Sequence, residues 1–249
     1  MSDLPRTCFA VPCFNEEHRF PVEELMDYVS AHPWLFLCLV DDGSSDRTFD
    51  TLSALARRLP ERSIVVRLAT NRGKAEAVRT GILAGLDAFR PAYVGYMDAD
   101  LATPLTEIER LIHIAEDTPS AVMFSGCRLK RLGVEVNRKW WRHYLGRLFA
   151  TAAALVLSLP VYDTQCGAKL FRPETARSVF SERFLSRWAF DVEIFARIAL
   201  MLDKDEAGRR ILEIPLMAWH DRGGSKLSLR HYFTAAAALC RVYLSYRLK

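Results

Sequence analysis

Asp98 and Asp100 stand one residue apart where an apolar run, Ala92 to Met97, stops. Two carboxylates brought to one spot repel each other unless a cation lies between them. Hard oxygen ligands suit Mg2+ or Mn2+, and such an ion would carry a phosphate on its other positions. If strand geometry persists to residue 100, side chains at i and i+2 share a face and the two acids converge. A surface turn with two solvated acids uses the same residues, and a two-ligand spacing does not separate the readings. Further cations follow in the chain. Arg128, Arg222 and Lys226 come just after apolar segments or in Gly-rich turns, as phosphate-binding groups would. A surface ion pair accounts equally for each of them taken alone.

Four apolar segments can position such groups: Thr7 to Val11 (closed by Pro12), Trp34 to Val40, Ser63 to Leu68 and the run at 92–97. Each reads as a buried strand, and each is followed by a polar cluster. The clusters are Asn15-Glu16-Glu17, Asp41-Asp42-Gly43-Ser44-Ser45-Asp46, Asn71-Arg72-Gly73-Lys74 and the acid pair. Helices are predicted from about Pro21 to Ala31, from a Ser45 or Asp46 cap to Leu59, and from Lys74 through Ala88. Strands alternating with helices predict a parallel α/β sheet that binds a nucleotide at its C-terminal edge. No G-x-G-x-x-G follows the first strand and no G-x-x-x-x-G-K-[ST] occurs, which disfavours a dinucleotide fold or a P-loop. Beyond Leu105 the pattern predicts a helix to Glu116 and strands at Ser120–Ser125, Ala168–Phe171 and Ile211–Leu216. It also predicts a helix opening at Trp188-Ala-Phe-Asp191-Val-Glu193 and a terminal helix.

Composition narrows the class. The 249 residues are half hydrophobic, enough for a sizeable core, with a net charge of +4. Mild basicity suits nucleotide phosphates or acidic lipid, and does not single out nucleic acid. The six scattered cysteines form no C-x-x-C pair and read as reduced thiols of a cytoplasmic protein. The N-terminus carries no signal pattern. The longest apolar run, Leu148 to Val161, falls short of the ~20 residues a membrane span needs.

The motifs together resemble inverting GT-A glycosyltransferases. They are Val11-Pro-Cys-Phe-Asn-Glu16, Val40-Asp-Asp-Gly-Ser44, Asn71-Arg-Gly-Lys74, Met97-Asp-Ala-Asp100 and Gly126-Cys-Arg128. Asp163-Thr-Gln-Cys-Gly-Ala-Lys-Leu-Phe171, Trp188 to Glu193 and Gly224-Ser-Lys-Leu227 narrow the resemblance to polyprenyl-phosphate hexose synthases of the dolichyl-phosphate glucosyltransferase type. The resemblance implies a GT-A, Rossmann-like fold over 1–229 with a mostly parallel sheet, and a C-terminal amphipathic helix at 230–249.

It also implies site roles. Pro12, Asn15, Glu16, Asp41 and Asp42 would hold the donor nucleoside, and Lys74 would lie near its diphosphate. Asp98 and Asp100 would hold the Mg2+ or Mn2+ that bridges the phosphates. Arg128, Gln165, Arg222 and Lys226 would meet the acceptor phosphate. Asp191 is either part of the catalytic set or an N-cap of its helix, and Glu17 and Asp46 are expected to serve capping and solvation. Cys166 reads as a packed thiol, because inverting transfer needs no covalent enzyme intermediate. Mannose-transferring relatives often carry Gln two residues after the second Asp; Ala102 at that position favours glucose. The implied reaction moves glucose from UDP-glucose to a polyprenyl phosphate with inversion. GDP-mannose as donor, a soluble acceptor, or a non-catalytic nucleotide-sugar-binding subunit are the alternatives.

Two stretches could meet the membrane that holds such an acceptor. Trp140 to Val161 leads Trp and Arg into an apolar helix, a composition suited to lipid contact. Arg230 to Lys249 is amphipathic, and packing on the core is the first expectation for it. The expected location is peripheral, on the cytoplasmic face of a membrane, with a homo-oligomer or a membrane subunit as a further partner and no role for nucleic acid.

Overall fold

Strands that are apolar at nearly every position need cover on both faces. A computed structural model describes residues 4–129, 135–137, 140–187, 189–220 and 229–246. The elements run β1 (Thr7–Cys13), α1 (Val22–Ala31), β2 (Leu35–Asp41), α2 (Thr48–Arg58), β3 (Ser63–Arg67), α3 (Lys74–Phe89), β4 (Tyr93–Met97), α4 (Leu105–Asp117) and β5 (Met123–Cys127). They continue as β6 (Glu135–Asn137), α5 (Trp140–Leu157), β7 (Ala168–Phe171), α6 (Pro173–Val179), α7 (Phe190–Leu202), α8 (Lys204–Arg210), β8 (Ile211–Pro215), β9 (Ala218–His220) and α9 (Leu229–Tyr246).

Seven strands form one sheet in the order β3-β2-β1-β4-β7-β5-β8, and β6 pairs with β9 in a small parallel ribbon. The pairs among β1–β4, and that of β5 with β8, are parallel. Only β7 runs against its neighbours, β4 and β5. Strand side chains sort by face. Phe9, Val11, Leu37 and Leu39 pack with α1, α2 and α4, whereas Cys8, Ala10, Cys38 and Val40 pack with α3 and the later helices. The predicted α/β class, with a mostly parallel sheet, is the architecture observed.

Two local expectations change. Pro12 does not close β1, which continues to Cys13. Pairing with β4 stops at Ala10, so the amide that proline lacks costs no ladder bond on that side. The Trp140–Val161 segment is helical only to Leu157, where Ser158 turns left-handed at φ 51°. The terminal helix packs on the core through Ala238, Leu239 and Val242, as expected for it. Helices α6 and α8 and the β6–β9 ribbon were not anticipated.

Candidate active site

In the strand order, β1 is where the chain reverses direction across the sheet: β2 and β3 lie on one side and β4 on the other. That reversal opens a crevice at the C-terminal strand ends. The loops after β1, β2, β3 and β4 all meet there. Asn15, left-handed at φ 55°, donates its amide to Ser44 Oγ at 3.0 Å and accepts the Ser45 amide on its side-chain oxygen at 3.0 Å. The Glu16 amide donates to Thr48 Oγ1 at 2.8 Å, and its carboxylate pairs with Arg19. Asp41 is fully buried, accepts the Ser44 amide and lies 3.3 Å from Arg67 Nε. Asp42 accepts the amides of Arg72 and Gly73 at 2.7 and 2.8 Å, which fastens the post-β3 loop to the end of β2. Burial nonetheless raises the Asp42 pKa above the ordinary carboxylate value, outweighing those two amides. Asp46 accepts the Thr48 amide at 3.0 Å from one residue before the N-cap position of α2, which is Arg47 and not Ser45 or Asp46.

The acid pair does not lie on an extended strand. β4 ends at Met97, and the Leu101 amide returns to the Asp98 carbonyl at 3.2 Å, closing a turn. Leu101 holds φ 49°, a conformation that costs a bulky residue of order 1–3 kcal/mol. Asp100 then accepts the Ala102 amide at 3.0 Å. Burial, followed by the nearby Asp98 charge, raises the Asp100 pKa. Burial pushes Asp98 the same way, but the Lys74 ammonium, 2.5 Å from Oδ1, outweighs it and the net shift is downward. Lys74 is the first residue of α3, as the Asn71–Lys74 spacing predicts.

Behind these acids lies a buried polar cluster. Lys169, on β7, has no exposed surface and donates to the Thr164 carbonyl at 2.9 Å, the Cys166 carbonyl at 2.6 Å and Asp191 Oδ1 at 2.7 Å. Tyr96 OH donates to the same Asp191 oxygen. Asp191 sits inside the first turn of α7 and caps nothing; Ala189 precedes the helix without a side-chain cap. The N-cap alternative is thereby corrected: a carboxylate committed to a buried ammonium and a phenol cannot also reach back to free helix amides.

Arg128 follows β5 and meets Asp163 through Nε at 2.7 Å and Nη2 at 2.9 Å, with its own amide donating to the same carboxylate. This pair is largely buried, unlike a surface salt bridge. Glu213 accepts the Tyr162 and Asp163 amides and so holds the loop that carries Asp163. The Gln165 amide donates to Asp163, while Gln165 Nε2 and Thr164 Oγ1 are buried without a hydrogen-bond partner among the described residues. Gly167 lies so close to Asp98 that a Cβ there would overlap the carboxylate. Burial pushes the Cys166 thiol up to about 11, the behaviour of a packed thiol. Arg222 and Lys226 lie outside the described residues.

The sequence reading gave Lys169 and Asp163 no role. A lysine inside the apolar strand Ala168–Phe171 was the available signal, since a buried ammonium requires an acid partner.

What the crevice offers is oxygen ligands beside cations. Among the described residues no group of three or more His, Cys, Asp and Glu could hold a metal. A divalent ion at Asp98 and Asp100 would therefore fill its remaining positions from phosphate or water, which suits Mg2+ or Mn2+. A Rossmann-like sheet with nucleotide-type loops and an acid pair after the fourth strand is the GT-A arrangement.

The model for glycosyl transferase family 2 matches residues 8–180, and the chain belongs to that family. It is 32% identical over 197 residues to a dolichyl-phosphate beta-glucosyltransferase of Dictyostelium discoideum, covering 74% of this chain and 59% of that one. The chain thus spans somewhat more than half of that relative's length. A dolichyl-phosphate beta-glucosyltransferase of Trichomonas vaginalis is 30% identical over 97% of this chain and 72% of its own. Among solved structures, glucosyl-3-phosphoglycerate synthase from Mycobacterium tuberculosis, in complex with Mn2+, UDP and glucosyl-3-phosphoglycerate, superposes with a TM-score of 0.67. It covers 97% of this chain and 80% of its own at 17% identity, a likeness of fold.

Proposed function

We propose that this protein transfers glucose from UDP-glucose to a polyprenyl phosphate with inversion, giving a β-linked polyprenyl-phosphate sugar. The observation that carries the reading is the match, at 30% identity and over nearly the whole chain, to a dolichyl-phosphate beta-glucosyltransferase. The crevice suits that chemistry. Pro12, Asn15, Glu16, Asp41 and Asp42 hold the nucleoside, and Lys74 serves the diphosphate. Asp98 and Asp100 would hold Mg2+ or Mn2+, which when bound would neutralise charge on the leaving diphosphate. The acceptor phosphate is ionised at neutral pH, so positioning and charge screening replace a strong general base. Arg128, Gln165, Arg222 and Lys226 receive that phosphate, with Asp163 fixing the Arg128 guanidinium. Asp191 acts through Lys169 and Tyr96 as a positioning residue.

Purified protein with Mg2+ or Mn2+, labelled UDP- and GDP-sugars and a short polyprenyl phosphate tests the reading. Label is expected in the lipid phase from UDP-glucose. Label from GDP-mannose alone would replace the donor, and no lipid labelling from any donor would replace the acceptor class.

Access to a lipid acceptor runs through α5. Leu148 and Leu155, two turns apart on one face, are 69% and 76% exposed. Arg147 at the same end stacks its guanidinium 3.7 Å from the Tyr162 ring centroid. No helix among the described residues is long and apolar enough to cross a membrane. Weak peripheral association is the expected outcome: co-flotation with anionic liposomes at low salt, lost in Leu148→Glu/Leu155→Glu. Absence of wild-type flotation would sink it.

A further inference from the structure

The loop that approaches the donor is gripped from outside the nucleotide half of the sheet. Arg187, between α6 and α7, donates through Nη2 to the Asn71 carbonyl at 3.0 Å and also to the Asn71 side-chain oxygen. Its own carbonyl accepts the Ala75 amide in the first turn of α3. Gly73, at φ 93°, passes directly beneath it: a Cβ there would stand 2.7 Å from Arg187 Nε. The segment 71–75 is therefore clasped on one side by Asp42, which takes the Arg72 and Gly73 amides, and on the other by Arg187.

Arg187 in turn belongs to a segment whose backbone is tied down by one buried cluster. Glu193 on α7 has no exposed surface and accepts the Leu185 amide at 2.7 Å. Arg197, one turn on, pairs with Glu193 at 2.8 Å and donates to the carbonyls of Val179, Glu182 and Arg183. Near the end of α9, Tyr246 OH donates to Glu193 at 2.6 Å and accepts from Arg197 Nε at 3.1 Å. Each acceptor and donor in this chain of contacts is matched, so a charged pair that would be costly to bury alone is satisfied.

We propose that Arg187 is a positioning residue for the donor loop, and that the C-terminal helix sets its place through the Tyr246–Glu193–Arg197 cluster. The proposal rests on reading Asn71–Lys74 as the loop that meets the nucleotide sugar. Lys74 begins α3 one residue after Gly73, so a shift of the loop moves the ammonium that faces Asp98. Donor affinity is then coupled to whether α9 is docked, while the residues that face the acceptor are untouched.

Steady-state transfer kinetics and calorimetric titration with UDP-glucose test this on the full chain. Arg187→Met is expected to raise the donor KM and Kd about tenfold, with the acceptor KM within about twofold of wild type. Arg187→Lys, which keeps charge and one donor without the fork, should recover part of the loss. Tyr246→Phe should raise donor KM about threefold in a variant that stays folded at the assay temperature, with a modestly lowered melting temperature; it carries the test if Arg187→Met fails to fold. Wild-type protein that binds no UDP-glucose overturns the proposed function itself. Wild-type binding with unaltered donor KM in Arg187→Met, or in Tyr246→Phe, overturns the positioning role alone.

Discussion

Asp98→Asn is expected to lower kcat for the proposed glucosyl transfer by about 10²–10³-fold, the loss typical of removing one electrostatic group aimed at developing charge. Asparagine keeps the shape that fits against Gly167, so the loss comes from charge and not from packing. Two roles for Asp98 must be told apart. One is to hold the proposed divalent ion, the other to orient Lys74, whose ammonium lies 2.5 Å from Oδ1. If orienting Lys74 were its whole contribution, Asp98→Asn and Lys74→Met would lose activity equally, and the double variant would lose no more than either. If Asp98 serves the cation, the double variant is worse than both. Half-maximal activity in Asp98→Asn would then need far more Mn2+, while Lys74→Met would keep the wild-type metal response. Transfer activity of Asp98→Asn above a tenth of wild type, with a normal Mn2+ titration, would remove the residue from the site.

Much of this crevice was legible in the sequence because its parts are local. A buried strand followed by a polar cluster is one contiguous signal, and β1 to β4 with their loops follow it closely. The acid pair stands out in the sequence, but strand alternation does not describe its geometry. Alternation assumes that the strand continues, whereas β4 ends at Met97 and the chain turns through Leu101 at positive φ. What stayed hidden depends on contacts far apart in the chain. Nothing near residue 163 announces that its carboxylate will orient Arg128, and nothing near residue 187 points to Asn71. Four residues suffice for β7, too few to reveal that it runs antiparallel between β4 and β5. Its lysine did carry information, because an ammonium in a strand buried at every position requires a partner that only the fold supplies.

That partner sets the second large effect: Lys169→Met is expected to destabilise the protein by about 3–5 kcal/mol, as breaking a buried pair from one side does. All three ammonium protons are engaged, by two carbonyls and Asp191. Methionine fills similar volume but leaves Asp191, itself only 4% exposed, with Tyr96 as its donor in the cluster. Against a total stability of roughly 5–15 kcal/mol, this is a large fraction, and the urea midpoint should fall accordingly. Lys169→Met/Asp191→Leu should recover much of the loss, since removing both charges leaves neither one stranded. Activity should not recover with it. The carbonyls of Thr164 and Cys166 that Lys169 gathers belong to the turn that sets Asp163 on Arg128 and Gly167 against Asp98. A double variant restored in stability and still impaired in transfer separates the two jobs of the lysine, holding the fold and shaping the site. A single variant that loses less than about 1 kcal/mol would mean that the Lys169–Asp191 contact does not hold the fold together.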